Sequence, residues 1–288
     1  MDWNDFTARA YRTGNATDMT RHTLALALVC AAQAACTGET HAAPLRLGTT
    51  TTVEQSGALG LLDSLHPPTP VRVVVAPSGT ILRSAAAGDL DIVLTHAPSL
   101  EQRLLVDAGH AALRCPFVAS RFAIIGPASD PAHTAAAATA ADAFRRIAGA
   151  RATFISRADS SGTHVKELSL WNAAGLVPDA KRNAWYVQAG VDQSATVRIA
   201  DERAAYALVD LPTFARLSGI GLRVLFAADT ALGNPYTLYV IRSGSDSGAA
   251  AQFSAWAMLD WRNRLLALRL PDGQAAFAPR EGGCSSPT

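Results

Sequence analysis

Hydroxyls, glycines and one arginine recur at three places where a strand-like pattern gives way to a helix-like one. Gly48-Thr49-Thr50-Thr51-Thr52 runs toward Ser56-Gly57. Ala76-Pro77-Ser78-Gly79-Thr80 precedes Ile81–Gly88, and Ser156-Arg157-Ala158-Asp159-Ser160-Ser161-Gly162-Thr163-His164 leads into Val165–Trp171. A single turn of this kind reads as helix capping, since Ser and Thr accept from the free N–H groups of a first turn. Three on separate strand–helix units differ, because the carboxyl ends of parallel strands line one crevice. Helix amino termini there present unpaired N–H groups and the positive end of a dipole. Arg157 adds a permanent charge on a planar fork suited to paired oxygens, unless Asp159 claims it as an ion-pair partner. A site of hydroxyls, N–H groups and one guanidinium favours an acceptor-rich, deprotonated ligand. A small tetrahedral oxyanion fits that description better than a sugar or a peptide.

Other chemistries leave weaker marks. No GxxxxGK[ST] occurs, no GxGxxG follows a strand, and no GxSxG elbow is found. His96 and His164 could serve as bases for a Ser or Thr nucleophile, which defines the alternative of a hydrolase or phosphatase. Neither has an identifiable orienting acid, and His164 falls in the first turn of a helix, so the expectation is binding without turnover. No CxxC or Cys/His cluster exists, so neither a metal site nor a cofactor is expected.

The elements that must position these turns alternate. Strand-like runs are Leu45–Gly48, Val71–Ala76, Asp91–Leu94, Phe122–Gly126, Ala152–Ser156, Ala205–Val209, Leu222–Phe226 and Tyr236–Ile241. Helical runs are Ser56–Leu65, Ile81–Ala87, Leu100–Ala108, Thr139–Ala148, Thr163–Ala174 and Gly248–Arg264. Several strands are continuously apolar, as strands covered on both faces are. The alternation predicts an α/β protein with mostly parallel sheets. With 288 residues, 49% of them hydrophobic, there is ample material for packed domains. Twenty-five basic against 24 acidic side chains give a formal charge of +1, which excludes a broad basic footprint for nucleic acid.

The amino terminus carries the only long apolar run, Thr23–Ala35, behind Arg21 and His22. Thirteen residues fall short of the roughly 20 a membrane span needs. A basic start, a short apolar core and small residues after it describe an export leader. Ala32-Gln33-Ala34 fits a cleavage pattern, and a lipid anchor at Cys36 is the alternative. In an oxidising compartment Cys115 and Cys284, which remain beyond the leader, could pair.

One ordered series spans most of the chain: TTTT-x3-SG (Thr49–Gly57), GDLDIVLTHAP (Gly88–Pro98), SRADSSGTHVKELSLW (Ser156–Trp171), AWYVQAG (Ala184–Gly190), AYALVD (Ala205–Asp210) and NPY (Asn234–Tyr236). It resembles the TupA-type family of tungstate-binding proteins of bacterial ABC importers. The resemblance implies a two-lobe periplasmic-binding-protein fold of type II. Each lobe would be a mixed, mostly parallel sheet flanked by helices, with two crossover strands near Phe122–Pro127 and Asn234–Ile241. Residues 1–43 would be leader and linker, 44–124 with 238–288 one lobe, and 125–237 the other. It implies an exported, periplasmic, monomeric protein that holds tungstate, with molybdate as a second ligand, and delivers it to a membrane permease. Sulfate and phosphate are the competing oxyanions. A third reading, the effector domain of a regulator, shares the fold, but a leader stands where DNA-binding helices belong. The site residues implied are Thr51, Thr52, Arg157, Thr163 and Tyr206, with Ser78 as a further hydroxyl and Val191 as a backbone donor; Tyr206 reads equally well as a core residue. This sequence departs from the family pattern at Thr52 (a serine there), at Ala158 (a glycine) and in Gly190–Ser194, where Asp192 brings a negative charge. Ala158 is harmless unless its position needs positive φ.

Overall fold

The computed structural model describes residues 43–287; the leader, its cleavage pattern, Cys30 and Cys36 lie outside the described residues. The strands are β1 (Leu45–Thr49), β2 (Val71–Val75), β3 (Ile92–Thr95), β4 (Ala111–Gly126), β5 (Phe154–Ser156), β6 (Tyr186–Gln188), β7 (Tyr206–Asp210), β8 (Arg223–Phe226), β9 (Gly233–Ile241) and β10 (Ala278–Pro279). They follow the order β2-β1-β3-β9-β4-β7-β5-β6, with β8 and β10 attached to β4.

In the first half β1 pairs in parallel with β2 and β3, and β9 runs antiparallel to both β3 and β4. In the second half β5 pairs in parallel with β6 and β7, while β7 and β8 run antiparallel to β4. The sheets are therefore mixed, because the long β4 and β9 run against their neighbours. β4 belongs to both halves: Arg121 still pairs with Gly233 of β9, and Phe122 already pairs with Asp210 of β7. The passage between halves falls at Arg121–Phe122 on β4, beside the start of β9.

Burial explains the strand composition. β1 and β3 are covered on both faces, one by Val53, Leu62, Phe117 and Trp261, the other by Ile81, Leu82, Leu105 and Tyr239. Such strands read as continuous apolar runs. β2 lies at the edge and alternates, with Val71, Val73 and Val75 turned in and Val74 41% exposed. The second half is built likewise: Phe144, Phe154, Trp171 and Tyr186 pack on one face, Ile155, Val197 and Val209 on the other. Edge-on ring contacts, such as Phe144 to Trp171 at 4.4 Å, tighten that layer.

The helices mostly follow the expected periodicity, with two differences near the site. The helix expected over Ser56–Leu65 spans only Ala58–Ser64, and a separate short helix, Thr51–Gln55, precedes it across Gly57 at φ 84°. The helix expected from Ile81 starts earlier, at Ser78. Among the described residues no helix is long and apolar enough to cross a membrane.

Cys115 on β4 is bonded to Cys284, across 169 positions of sequence. Closing so long a loop removes much freedom from the unfolded chain. Cys284→Ser is expected to lower unfolding free energy by about 2–4 kcal/mol, measured by urea denaturation without reductant. Equal midpoints for the two proteins, or alkylation of both thiols in the unreduced wild type, would contradict the pairing.

Candidate functional site

The parallel strands direct their carboxyl ends toward the passage between the halves, and the three hydroxyl-rich turns meet there. After β1, Thr50 caps the helix Thr51–Gln55 by accepting from the Val53 N–H at 3.2 Å, which leaves the side chains of Thr51 and Thr52 to face outward from the turn. After β2, Ser78 begins a helix. After β5, Ser161 caps the helix Gly162–Ala173 through the His164 N–H at 3.2 Å.

Arg157 stands at the centre, 1% exposed. Its Nη1 donates to Thr52 Oγ1 at 3.1 Å and to Thr163 Oγ1 at 3.4 Å; its Nη2 donates to Thr51 Oγ1 at 3.4 Å and to Asp159 Oδ2 at 2.5 Å. The guanidinium thus occupies lone pairs on three hydroxyls and leaves the hydroxyl protons to donate elsewhere. Thr163 donates to Gln193 Oε1 at 3.1 Å; the Thr51 and Thr52 hydroxyls have no acceptor among the described residues. Arg157 Nε is buried without any partner. Burial pulls the Arg157 pKa below the usual arginine range, and the Asp159 carboxylate opposes that. An arginine in such company stays a cation.

Ser78 reaches the same place, since its Oγ accepts from the Gly162 N–H at 3.1 Å. The Gly79 N–H and Ser160 carbonyl approach to 3.4 Å, another contact between the two halves. Val191 lies in the bend after β6, next to Gly190, whose N–H is bonded to the Arg157 carbonyl at 2.9 Å. Asp192 caps the helix Gln193–Glu202 through the Ala195 N–H at 2.9 Å. Thr51, Thr52, Ser78, Arg157 and Thr163 are therefore brought together, with Val191 beside them.

Tyr206 is not brought there. It opens β7, opposite Phe154 at the start of β5, whereas Arg157 follows the other end of β5. Its hydroxyl donates to Asp130 Oδ1 at 2.8 Å and accepts from the Ala132 N–H at 2.9 Å. Burial, with Asp130 alongside, raises its pKa to about 12. Tyr206 is a core residue that anchors the Asp130–Ala132 turn.

Two side chains behind the site gave weaker sequence signals. Asn234, from the NPY triplet, donates to Ser120 Oγ at 3.0 Å and to Asp210 Oδ1 at 2.9 Å, which fixes its Oδ1 as the acceptor for His96 Nδ1 at 3.0 Å. Ser120 Oγ also bonds to Asp210 Oδ1. This buried cluster joins β4, β7 and β9 where they pass between the halves. His96 is driven to a pKa of about 4 by burial, which the Asn234 bond only partly offsets and the Arg157 charge reinforces. It is a neutral imidazole stacked on Tyr236 at 5.1 Å, and no hydroxyl is bonded to it. His164 Nδ1 accepts from the Ser160 N–H at 3.2 Å. Among the described residues neither imidazole ring is bonded to a Ser or Thr hydroxyl. Among the described residues no three His, Cys, Asp or Glu side chains converge as metal ligands.

The loop holding Arg157 is strained. Ala158 has φ 49° and Ser160 φ 60°, a left-handed region that costs a residue with a Cβ about 1–2 kcal/mol. The position where a glycine is expected does require positive φ. Gly162, by contrast, is needed for space: an added Cβ would sit 2.6 Å from His96 Cε1 and 2.9 Å from its carbonyl oxygen.

A fold of two joined halves with a donor-lined cluster between them is that of the two-lobe, type II class of substrate-binding proteins. The PBP superfamily domain matches residues 35–260. The tungstate-binding protein TupA of Peptoclostridium acidaminophilum is 32% identical over 83% of this chain and 85% of its own, and the chain belongs to that family. A putative ABC transporter anion-binding protein of Haloferax volcanii is 38% identical over 67% of this chain; the match spans 58% of that relative's length. The crystal structure of the tungstate ABC transporter from Geobacter sulfurreducens, 34% identical, superposes with a TM-score of 0.67 over 77% of this chain and 98% of that one.

Two substitutions separate strain from space. Ala158→Gly is expected to raise unfolding free energy by about 0.5–1 kcal/mol, the relief at φ 49° less the added backbone entropy. Gly162→Ala is expected to lower it by about 1–3 kcal/mol through overpacking against His96. Urea denaturation reads both, and the opposite order of stabilities would show the local geometry to be wrong.

Proposed function

We propose that this protein is an exported binding protein that captures tungstate, and also molybdate, between its lobes and hands it to the membrane permease of an ABC importer. The observation that carries this reading is the buried Arg157 guanidinium, ringed by the hydroxyls of Thr51, Thr52 and Thr163 and keeping one unpartnered N–H. Arg157 and Thr163 come from one half, Thr51, Thr52 and Ser78 from the other, so an anion held by all of them holds the halves together. Val191 would add a backbone N–H. The relatives named for tungstate and for anion binding support the ligand class.

No bond need be made or broken. Binding exchanges the water shell of the anion for fixed donors, and charge-assisted hydrogen bonds are the strong ones. A fully deprotonated dianion presents only acceptors, which suits this ring of donors. Phosphate at neutral pH carries a proton that would meet a donor, an unfavourable pairing that works as discrimination. We take the lobes as about 44–121 with 233–288 and 122–232, shifted from the expected bounds at 124 and 237 because Phe122 already pairs with β7 and Gly233 with Arg121, the chain as a monomer, and its location as periplasmic. The leader-like Thr23–Ala35 run and the disulfide support export.

Calorimetric titration of the protein without its leader is expected to show tungstate and molybdate bound stoichiometrically, and sulfate and phosphate bound weakly or not at all. Submicromolar binding of sulfate or phosphate alone would overturn the assignment. Arg157→Ala is expected to weaken tungstate binding by about 1.5–3 kcal/mol, the scale of a hydrogen bond to a charged group. Equal affinity in that variant would remove Arg157 from the site.

A further inference from the structure

Directly behind Arg157 lies a carboxyl group that the anion site itself does not use. Glu167, on the helix Gly162–Ala173, is 1% exposed and forms no ion pair among the described residues. Its Oε1 accepts from Tyr186 Oη at 2.7 Å and from Trp171 Nε1 at 3.3 Å.

The Tyr186 hydroxyl makes this cluster able to hold or release a proton. It lies 2.7 Å from Glu167 Oε1 and 3.0 Å from Ser156 Oγ, yet has one proton to donate. With Glu167 ionised, Tyr186 donates to the carboxylate. With Glu167 protonated, the acid can donate to Tyr186 and Tyr186 to Ser156. In either state the Tyr186 hydroxyl has both a donor and an acceptor, so it is not left as a stranded buried polar group.

Charge counting supplies the coupling. Asp159 already balances Arg157 at 2.5 Å, so a dianion settling there adds charge with nothing local to offset it. We propose that Glu167 is a proton-binding site coupled to the anion site, and that oxyanion capture draws a proton onto Glu167, where the Tyr186 hydroxyl can turn to accommodate it. This rests on the reading of the Arg157 cluster as the anion site. Burial raises the Glu167 pKa to about 7, against the opposing bonds from Tyr186 and Trp171. The unliganded carboxyl is then part-ionised near neutral pH, and an added anion raises its pKa further. Binding therefore takes up protons, and affinity falls as pH rises above 7.

The charged and titratable groups that face Glu167 are Arg157 and Tyr186, and both keep their protons from pH 6.5 to 8.5; burial drives Tyr186 above the usual tyrosine range. Farther round the anion site stand Asp159, Asp192, His96 and His164. Burial lowers both histidine pKa values, that of His96 to about 4.

The test is calorimetry of the leaderless protein with sodium tungstate, in buffers of different ionisation enthalpy. Uptake of about half a proton at pH 7.5 is expected, with affinity falling about fivefold between pH 7 and 8.5. Glu167→Gln should abolish both the buffer dependence and the pH slope. Should that variant not fold, infrared difference spectra of the wild type carry the same test, since tungstate should produce a protonated-carboxyl band. Tungstate binding by the wild type with no proton uptake, or uptake that survives in Glu167→Gln, overturns the proposal and leaves the anion site standing. If the wild type binds no oxyanion at all, the reading of the Arg157 cluster fails and this inference fails with it.

Discussion

A guanidinium taken out of water at the junction of two sheets is the constraint around which this molecule is arranged. Desolvating a cation costs several kcal/mol unless hydrogen bonds and countercharge replace the lost water. Arg157 finds Asp159 within its own loop, Thr163 on the following helix, and Thr51 and Thr52 on the other half of the chain. Each partner is delivered by the carboxyl end of a parallel strand. The residue best suited to an anion is thus also the residue that most needs both halves in place.

The cluster of Ser120, Asp210, Asn234 and His96 meets a related demand a short distance away. Strands passing from one sheet to another must keep their buried polar groups paired, and β4, β7 and β9 do so with side chains where their ladders change partners. Burial holds the Asp210 pKa above the usual carboxylate range, against the bonds from Ser120, Asn234 and Thr213. The His96 ring packs on Gly162, at the head of the helix that bears Thr163. This polar cluster and the Arg157 turn are therefore in van der Waals contact, and a change at one is felt as packing at the other.

Some departures from the sequence reading have plain causes. The Thr-rich, Ser78 and Arg157 turns were legible because strand–helix alternation sets which loops share an edge. Tyr206 was misplaced because a tyrosine opening an apolar strand looks alike whichever end of the strand it occupies; only the pairing of Tyr206 with Phe154 puts it far from Arg157. The first half of β4 was missed because Pro116 and Arg114 interrupt its apolar pattern, and its register does shift between Pro116 and Ala119. The helix Gln193–Glu202 has an ordinary polar composition, so Gln193, buried against Thr163, gave no local signal.

Local chemistry in the sequence was enough to determine the α/β class, the loops that carry donors, and an arginine among hydroxyls as the mark of an oxyanion site. Those features depend on residue type and short-range periodicity, which a single chain displays directly. Only the tertiary structure decided that Asp159 shares Arg157 with three threonines, that Glu167 lies behind it in a chain of hydroxyls, that Tyr206 belongs to the core, and that Cys115 meets Cys284. These are contacts between segments tens to hundreds of residues apart, or directions of side chains within one loop. Burial and strand register, which no local spacing specifies, set them.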